Sequence, residues 1–328
     1  MKRMMLLTLI IASCGFLHGQ DLDFLSRKDY SVQFDLSYGE HSRNKYDIVL
    51  PQNDSLHGLV IFIHGGGFKY GDKKSVYKRK YDIKHFIDNN IAVASINYRF
   101  SSNNDSLGVR ACLKDIQKAI QYLRFNADKF NIDKERVGCY GSSAGAGSSL
   151  YFALHDDLAI KGDSTLLGES TRLKCAGSIA TQSTYNVFKW KRVVPFMRLA
   201  ILFKRKQIYN AAANFYGYLD YKTYKKQVRK ASESLDMLSM IDSNDPPIYL
   251  MNLMKENFPK NDNVIQHHKK HAVAVSKELI KNNVENYLYT SKTVVSEVDI
   301  DFKIREFIVE NLKNTVDNNA HKKLLISN

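Results

Sequence analysis

The sequence offers little from which a disulfide or metal framework could be built. Four cysteines occur in 328 residues, and one of them, Cys14, lies in an apolar N-terminal stretch. The remaining Cys112, Cys139 and Cys175 are odd in number, which gives no disulfide framework. No pair of them has the spacing of zinc ligands. Cys139 falls inside an apolar strand pattern and reads as a small buried hydrophobe. Beyond the N-terminus no apolar run is long enough for a membrane-spanning helix. No nucleic-acid-binding motif, internal repeat or low-complexity segment stands out.

What is present is the composition of a globular chain, 44% hydrophobic and 25% charged. A formal charge of +14 could favour anionic partners such as acidic polysaccharide or lipid headgroups. The Lys and Arg residues are spread along the chain, so the charge is read first as background, with no nucleic-acid partner expected.

Residues 1–20 read as a signal peptide. Lys2 and Arg3 precede a short apolar stretch from Met4 to Ala12. Ile11-Ala12-Ser13-Cys14 resembles the lipobox of bacterial lipoproteins, which implies an acylated Cys14 and membrane attachment. The competing exit is cleavage near Gly19-Gln20, where Leu17 suits the small-residue rule poorly. The expectation is a bacterial protein that is secreted or held as a periplasmic or outer-membrane lipoprotein.

From there strand-like and helix-like segments alternate. Residues 31–37 and 45–50 suggest two strands with an antiparallel start. Short apolar runs at 58–63 and 91–97 suit strands buried on both faces. Weaker runs follow at 136–140, 175–180, 248–253 and 284–289. Between them, residues 107–129 place Leu113, Ile116, Ile120 and Leu123 on one helical face. Helices are also expected over 264–282 and 297–313. The alternation predicts an α/β fold, a mostly parallel sheet with helices on both faces. Residues 184–243 are too long for a simple crossover and read as a helical cap inserted between 21–183 and 244–314. Residues 315–328 form a polar tail.

Two motifs carry chemistry. Gly141-Ser142-Ser143-Ala144-Gly145 matches the G-x-S-x-G nucleophile elbow, with a strand pattern before it and a helix pattern after it. Ser143 is the expected nucleophile. His64-Gly65-Gly66-Gly67-Phe68 ends a buried strand, and its free backbone N–H groups suit an oxyanion formed at a carbonyl.

Together these resemble the bacterial carboxylesterases related to hormone-sensitive lipase. The string His64 to Asp72 looks like that family's oxyanion loop. Asp115, Ala119, Asn126, Phe130, Asp133 and Arg136 extend the match, as does Asp245-Pro246-Pro247 before the next strand. The resemblance runs from about residue 40 to 313. It implies an α/β-hydrolase sheet, an ester substrate, and an oxyanion hole from Gly66, Gly67 and the N–H of Ala144. It calls for no cofactor and no metal. Carried onto this sequence, the triad acid falls on Glu256, or on Asp262 if the loop has an insertion.

The sequence departs from the family at the histidine. The segment Thr290 to Val295, where the family places it, contains none. The substitute is the cluster His267, His268 and His271, with His267 or His268 favoured as general base. A histidine at the start of the helix there would be kept neutral by the helix dipole. His64 is expected to orient the oxyanion loop. No Glu follows His267 as H-E-x-x-H would require, so the cluster is not read as a metal site.

The leading expectation is a serine esterase acting through an acyl-enzyme on a small or carbohydrate-borne ester. The competing one is a hydrolase-fold binding protein that keeps the elbow but lacks a working base. A serine peptidase is disfavoured by the glycine-rich loop.

Overall fold

The computed structural model describes residues 30–101, 107–255, 258, 261–291 and 297–313. The signal segment, with Cys14, and the tail lie outside them, as does Glu256.

Eight strands form one sheet in the order β1-β2-β4-β3-β5-β6-β7-β8. Their ranges are Tyr30–Ser37, Lys45–Pro51, His57–Ile63, Ile91–Ile96, Ile132–Ser142, Ala176–Ile179, Ile248–Asn252 and Asn286–Thr290. β2 pairs antiparallel with both β1 and β4, and all later pairings are parallel. The reason lies in the side chains. Every residue of β3 and β4 is buried, as helices on both faces require. The solvent-facing residues of the polar strand β1 restrict it to an edge.

Helices α1 (Lys80–Asp88) and α9 (Glu297–Leu312) cover one face of the sheet, and Phe86, Ile304 and Ile308 pack there against Tyr140 and Val60. Helices α2 (Val109–Phe125), α3 (Ala144–Leu154) and α8 (Lys270–Lys281) cover the other. The apolar face expected on α2 is the buried one: Leu113, Ile116, Ile120 and Leu123 are at most 4% exposed. Cys112, Cys139 and Cys175 are free and buried.

The chain leaves β3 toward β4 on one side and leaves β5 toward β6 on the other. The carboxyl ends of β3 and β5 therefore flank a switch point, where open α/β sheets bind ligands. The loops after these two strands hold the glycine run and Ser143. They approach closely enough that a Cβ on Gly145 would stand 1.9 Å from the carbonyl oxygen of Ile63, so only glycine fits there.

Between β6 and β7 run α4 (Trp190–Val193), α5 (Met197–Phe215) and α6 (Lys225–Glu233). One expectation fails here. Residues 264–282 do not form one helix but two, α7 (Asp262–Gln266) and then α8. His267 takes φ −113°, ψ 19° and ends α7, so the chain turns before α8 begins. Asn261 starts α7 by accepting the N–H of Val264 at 3.0 Å, the usual N-cap arrangement.

Candidate active site

Ser143 sits at the turn from β5 into α3 with φ 54° and ψ −118°. A non-glycine residue there carries strain on the order of 1–3 kcal/mol and persists only where its surroundings fix it. They do so here through backbone bonds: Ser143 N–H donates to the Ile179 carbonyl and Gly147 N–H to the Ser143 carbonyl, both at 2.9 Å. The helix that follows begins with small residues, so its first turn comes up against β3 and against Tyr185, whose hydroxyl donates to the Ala144 carbonyl at 2.9 Å.

The Oγ of Ser143 lies 2.7 Å from Nε2 of His267. The other ring nitrogen, Nδ1, lies 2.8 Å from the side-chain oxygen of Asn263. With the proton on Nδ1 donated to that amide oxygen, Nε2 is left as an acceptor for the serine hydroxyl. Burial lowers the pKa of His267 below the ordinary 6.5, so the ring is neutral at pH 7. The expected cause was a helix N-terminus, and that is corrected here. His267 stands at the C-terminal end of α7, where the dipole would favour the charged form. Desolvation is what keeps it neutral.

The other two histidines are placed differently. His268 is buried and its Nδ1 accepts the N–H of Lys270 at 3.1 Å. His271 is buried deeper. Its Nε2 donates to the Ile265 carbonyl at 2.9 Å, and its Nδ1 accepts from the N–H and Oγ of Ser183 at 3.2 and 3.0 Å. It does not share a helical face with His267, because the chain turns between them. It instead ties the loop after β6 to the segment that carries His267, and burial pushes its pKa down to about 4. Gln182 makes a second tie, donating to the Gln266 carbonyl at 3.0 Å. Asp262 opens α7 and borders the cavity, but the acceptor facing Nδ1 is Asn263.

The glycine loop adopts backbone conformations that side chains resist. Gly66 has φ 115°, and a Cβ there would overlap the Tyr70 carbonyl oxygen at 2.0 Å. Gly67 and Ala144 line the cavity beside Ser143. Ala144 is the first residue of α3, so its N–H has no partner within that helix. His64 stacks on Tyr98 with ring centroids 4.4 Å apart, and its Nδ1 donates to the Gly65 carbonyl at 2.7 Å. Burial pushes its pKa down to about 4. The Arg43 guanidinium buttresses this loop by donating to the carbonyls of Tyr98 and Gly71 at 2.8 and 3.0 Å. Neither Arg43 nor Asn263 was foreseen. The spacing of Asn263 four residues before His267 was the one available signal, because such pairs meet on a helix.

The cavity over Ser143 holds about 280 Å³. Phe68 and Tyr185 form its floor, and Trp190, Met197, Ile201, Ile208 and Phe215 from the segment between β6 and β7 form its walls. Polar groups are few: Lys69, Lys191, Gln182, Asp262 and Ser101 stand among them. Asp133 and Arg136 pair at 2.8 Å, and Asp115 takes Arg99 in a two-pronged pair at 2.7 and 2.9 Å. These pairs hold the scaffold.

A mostly parallel sheet, a serine at a strained strand-to-helix turn and a glycine loop beside it define the α/β-hydrolase fold. Within that class the chain belongs to the BD-FAE family, whose model matches residues 46–279. Among curated proteins it is 30% identical over 135 residues to isoprenylcysteine alpha-carbonyl methylesterase of Arabidopsis thaliana, covering 40% of this chain and 29% of that protein. It is 27% identical over 137 residues to juvenile hormone esterase of Tribolium castaneum, covering 39% of this chain and 23% of that protein. The alignments thus span less than a third of either relative. Among solved structures, a bacterial heroin esterase superposes with TM-score 0.60 at 17% identity, over 90% of this chain and 89% of that one. A truncated carbohydrate esterase from gut microbiota does so with TM-score 0.57 at 16% identity, over 87% and 98%. At such identities the likeness is one of fold.

Proposed function

We propose that this protein hydrolyses carboxylic esters through an acyl-enzyme on Ser143. The observation that carries the proposal is the 2.7 Å contact between Ser143 Oγ and His267 Nε2. The serine hydroxyl gives its proton to Nε2 as Oγ bonds to the ester carbonyl carbon. Negative charge gathers on the carbonyl oxygen, where backbone N–H groups of Gly66, Gly67 and Ala144 receive it. The intermediate collapses, the C–O bond to the alcohol breaks, and His267 returns the proton to the leaving oxygen. Water then attacks the acyl carbon as His267 takes its proton, the C–O bond to Ser143 breaks with that proton passing from His267 to Oγ, and the acid and free Ser143 are released. Asn263 holds the imidazole in the tautomer this cycle needs.

The apolar cavity suits the acyl part of the ester. Acylated carbohydrate or another small ester is the substrate class, in keeping with the esterase names among the structural neighbours. The segment 184–243 acts as the cap in this reading, and the signal-like pattern of residues 1–20 supports a place outside the cytoplasm, free or anchored at Cys14. The competing reading, a binding protein without a base, was motivated by the missing histidine after the last strand. A histidine within hydrogen-bond reach of the nucleophile weighs against it.

The test is turnover of nitrophenyl acetate. The wild type should release nitrophenol, and Ser143→Ala should lower kcat by about 10⁵-fold or to background. Equal turnover in the two would overturn the proposal.

A further inference from the structure

Helix α5 has two apolar faces that serve different neighbours. Met197, Ile201 and Ile208 turn inward to line the cavity over Ser143. Phe196, Leu199, Leu202 and Phe203 turn outward, at three- and four-residue spacing, and are 59%, 48%, 77% and 81% exposed. Phe196 meets Phe258, itself 58% exposed, with ring centroids 5.6 Å apart. A cluster of large apolar side chains this exposed calls for a partner surface.

Along this part of the chain the charge has one sign. Between Glu169 and Asp220 the sequence holds no acidic residue. Over the same stretch Arg192, Arg198, Lys204, Arg205 and Lys206 flank the outward apolar face, and all five are exposed. Apolar side chains flanked by cations, Arg198, Lys204, Arg205 and Lys206 on α5 and Arg192 on α4, are the pattern of a segment that lies in a lipid–water interface, with its cations among anionic headgroups.

We propose that the outward face of α5 docks this protein on an anionic lipid surface, with the cavity over Ser143 just behind the docked helix. A second copy of the chain fits the face poorly, because self-association would bring these five cations against their own counterparts. An acidic carbohydrate polymer would engage the cations and leave Leu202 and Phe203 in water. The inference concerns binding and stands whether or not the esterase reading does.

The test is co-sedimentation of the purified full chain with vesicles of phosphatidylcholine alone or mixed with phosphatidylglycerol at about 7:3. Binding should appear on the mixed vesicles and weaken with salt. Lys204→Gln/Arg205→Gln/Lys206→Gln should lower the partition coefficient by about a hundredfold, at roughly fivefold per cation. Leu202→Ser/Phe203→Ser should lower it at least about tenfold with the charge unchanged. Neither variant touches the cavity, so turnover of a soluble ester should match the wild type, and circular dichroism with urea unfolding reports independently that the variants fold. Several results would overturn the proposal. One is equal binding to both vesicle types. Another is equal binding of wild type and variants, as an N-terminal membrane anchor would give. A third is a wild-type dimer in sedimentation that Leu202→Ser/Phe203→Ser abolishes.

Discussion

Asn263 gives the sharpest prediction, because a neutral amide stands where serine hydrolases usually hold a carboxylate. Its side-chain oxygen is 2.8 Å from Nδ1 of His267. It fixes the tautomer but brings no charge to the imidazolium that forms during the reaction. With burial lowering the His267 pKa below 6.5, the acid limb of kcat/KM should lie below pH 6.5 in the wild type. Asn263→Asp places a negative charge against the ring. An opposite charge at such range shifts a pKa by about 1–3 units toward the charged form, so the acid limb should move up by about that much. Asn263→Ala removes the orienting side-chain bond and leaves Nδ1–H only the backbone carbonyl of residue 263. That costs about 1–3 kcal/mol, or roughly 5- to 150-fold in kcat with KM little changed, and the limb should not move up. Asp262→Asn should leave the limb where it is. The assay is pH-dependent hydrolysis of a soluble ester by these four proteins and by Glu256→Gln. An unshifted limb in Asn263→Asp, with Asn263→Ala as active as wild type, would refute the assignment. Loss of activity in Asp262→Asn or Glu256→Gln instead would return the role to a carboxylate.

Three further outcomes follow from the same structure. His271→Ala strands the Ile265 carbonyl and the Ser183 N–H in a buried site. It should cost about 3–5 kcal/mol in urea unfolding and lower kcat by displacing His267, whereas unchanged stability would show that the tie does not matter. Gly145→Ala sets a methyl 1.9 Å from the Ile63 carbonyl oxygen, so it should unfold the elbow or abolish activity, and a variant with normal turnover would contradict the packing described. His64 and His271 have pKa values of about 4 in the fold against an ordinary 6.5. The unfolded chain therefore binds more protons between those limits, and stability, complete above about pH 6.5, should fall as pH drops toward 4 by on the order of 3 kcal/mol for each ring. Asp245, pushed up to about 6 by burial, is stabilising when protonated and offsets part of that loss. Urea midpoints that stay level from pH 7 to 4.5 would contradict the two buried rings.

The sheet was legible because its signals are local. Continuous apolar runs mark β3 and β4, and the 3.6-residue spacing of Leu113, Ile116, Ile120 and Leu123 marks α2. The elbow and the glycine loop were legible because tight backbone approaches force glycine at Gly66 and Gly145, and that leaves a pattern in the residues themselves. The histidine beside Ser143 was harder. His267 comes from the segment after β7, so its meeting with Ser143 depends on a helix break that periodicity smooths over. The apolar residues of 264–282 fall before Gln266 and after His271, and the polar run between them fits an exposed stretch of one helix as well as a turn at His267. The role of Asn263 was hidden for a chemical reason, since reasoning from charge searches for carboxylates and passes over amides. Arg43 was invisible because its partners lie far away in sequence, and the two carbonyls it binds carry no residue identity.

The central claim is that His267 activates Ser143. It is tested most directly by fluorophosphonate labelling followed by peptide mass spectrometry. The wild type should carry the phosphonyl adduct on Ser143, Ser143→Ala should carry none, and His267→Ala should label at least about a hundredfold more slowly while His268→Ala labels at close to the wild-type rate. An adduct on another residue, or labelling of Ser143 as fast in His267→Ala as in the wild type, would contradict the account.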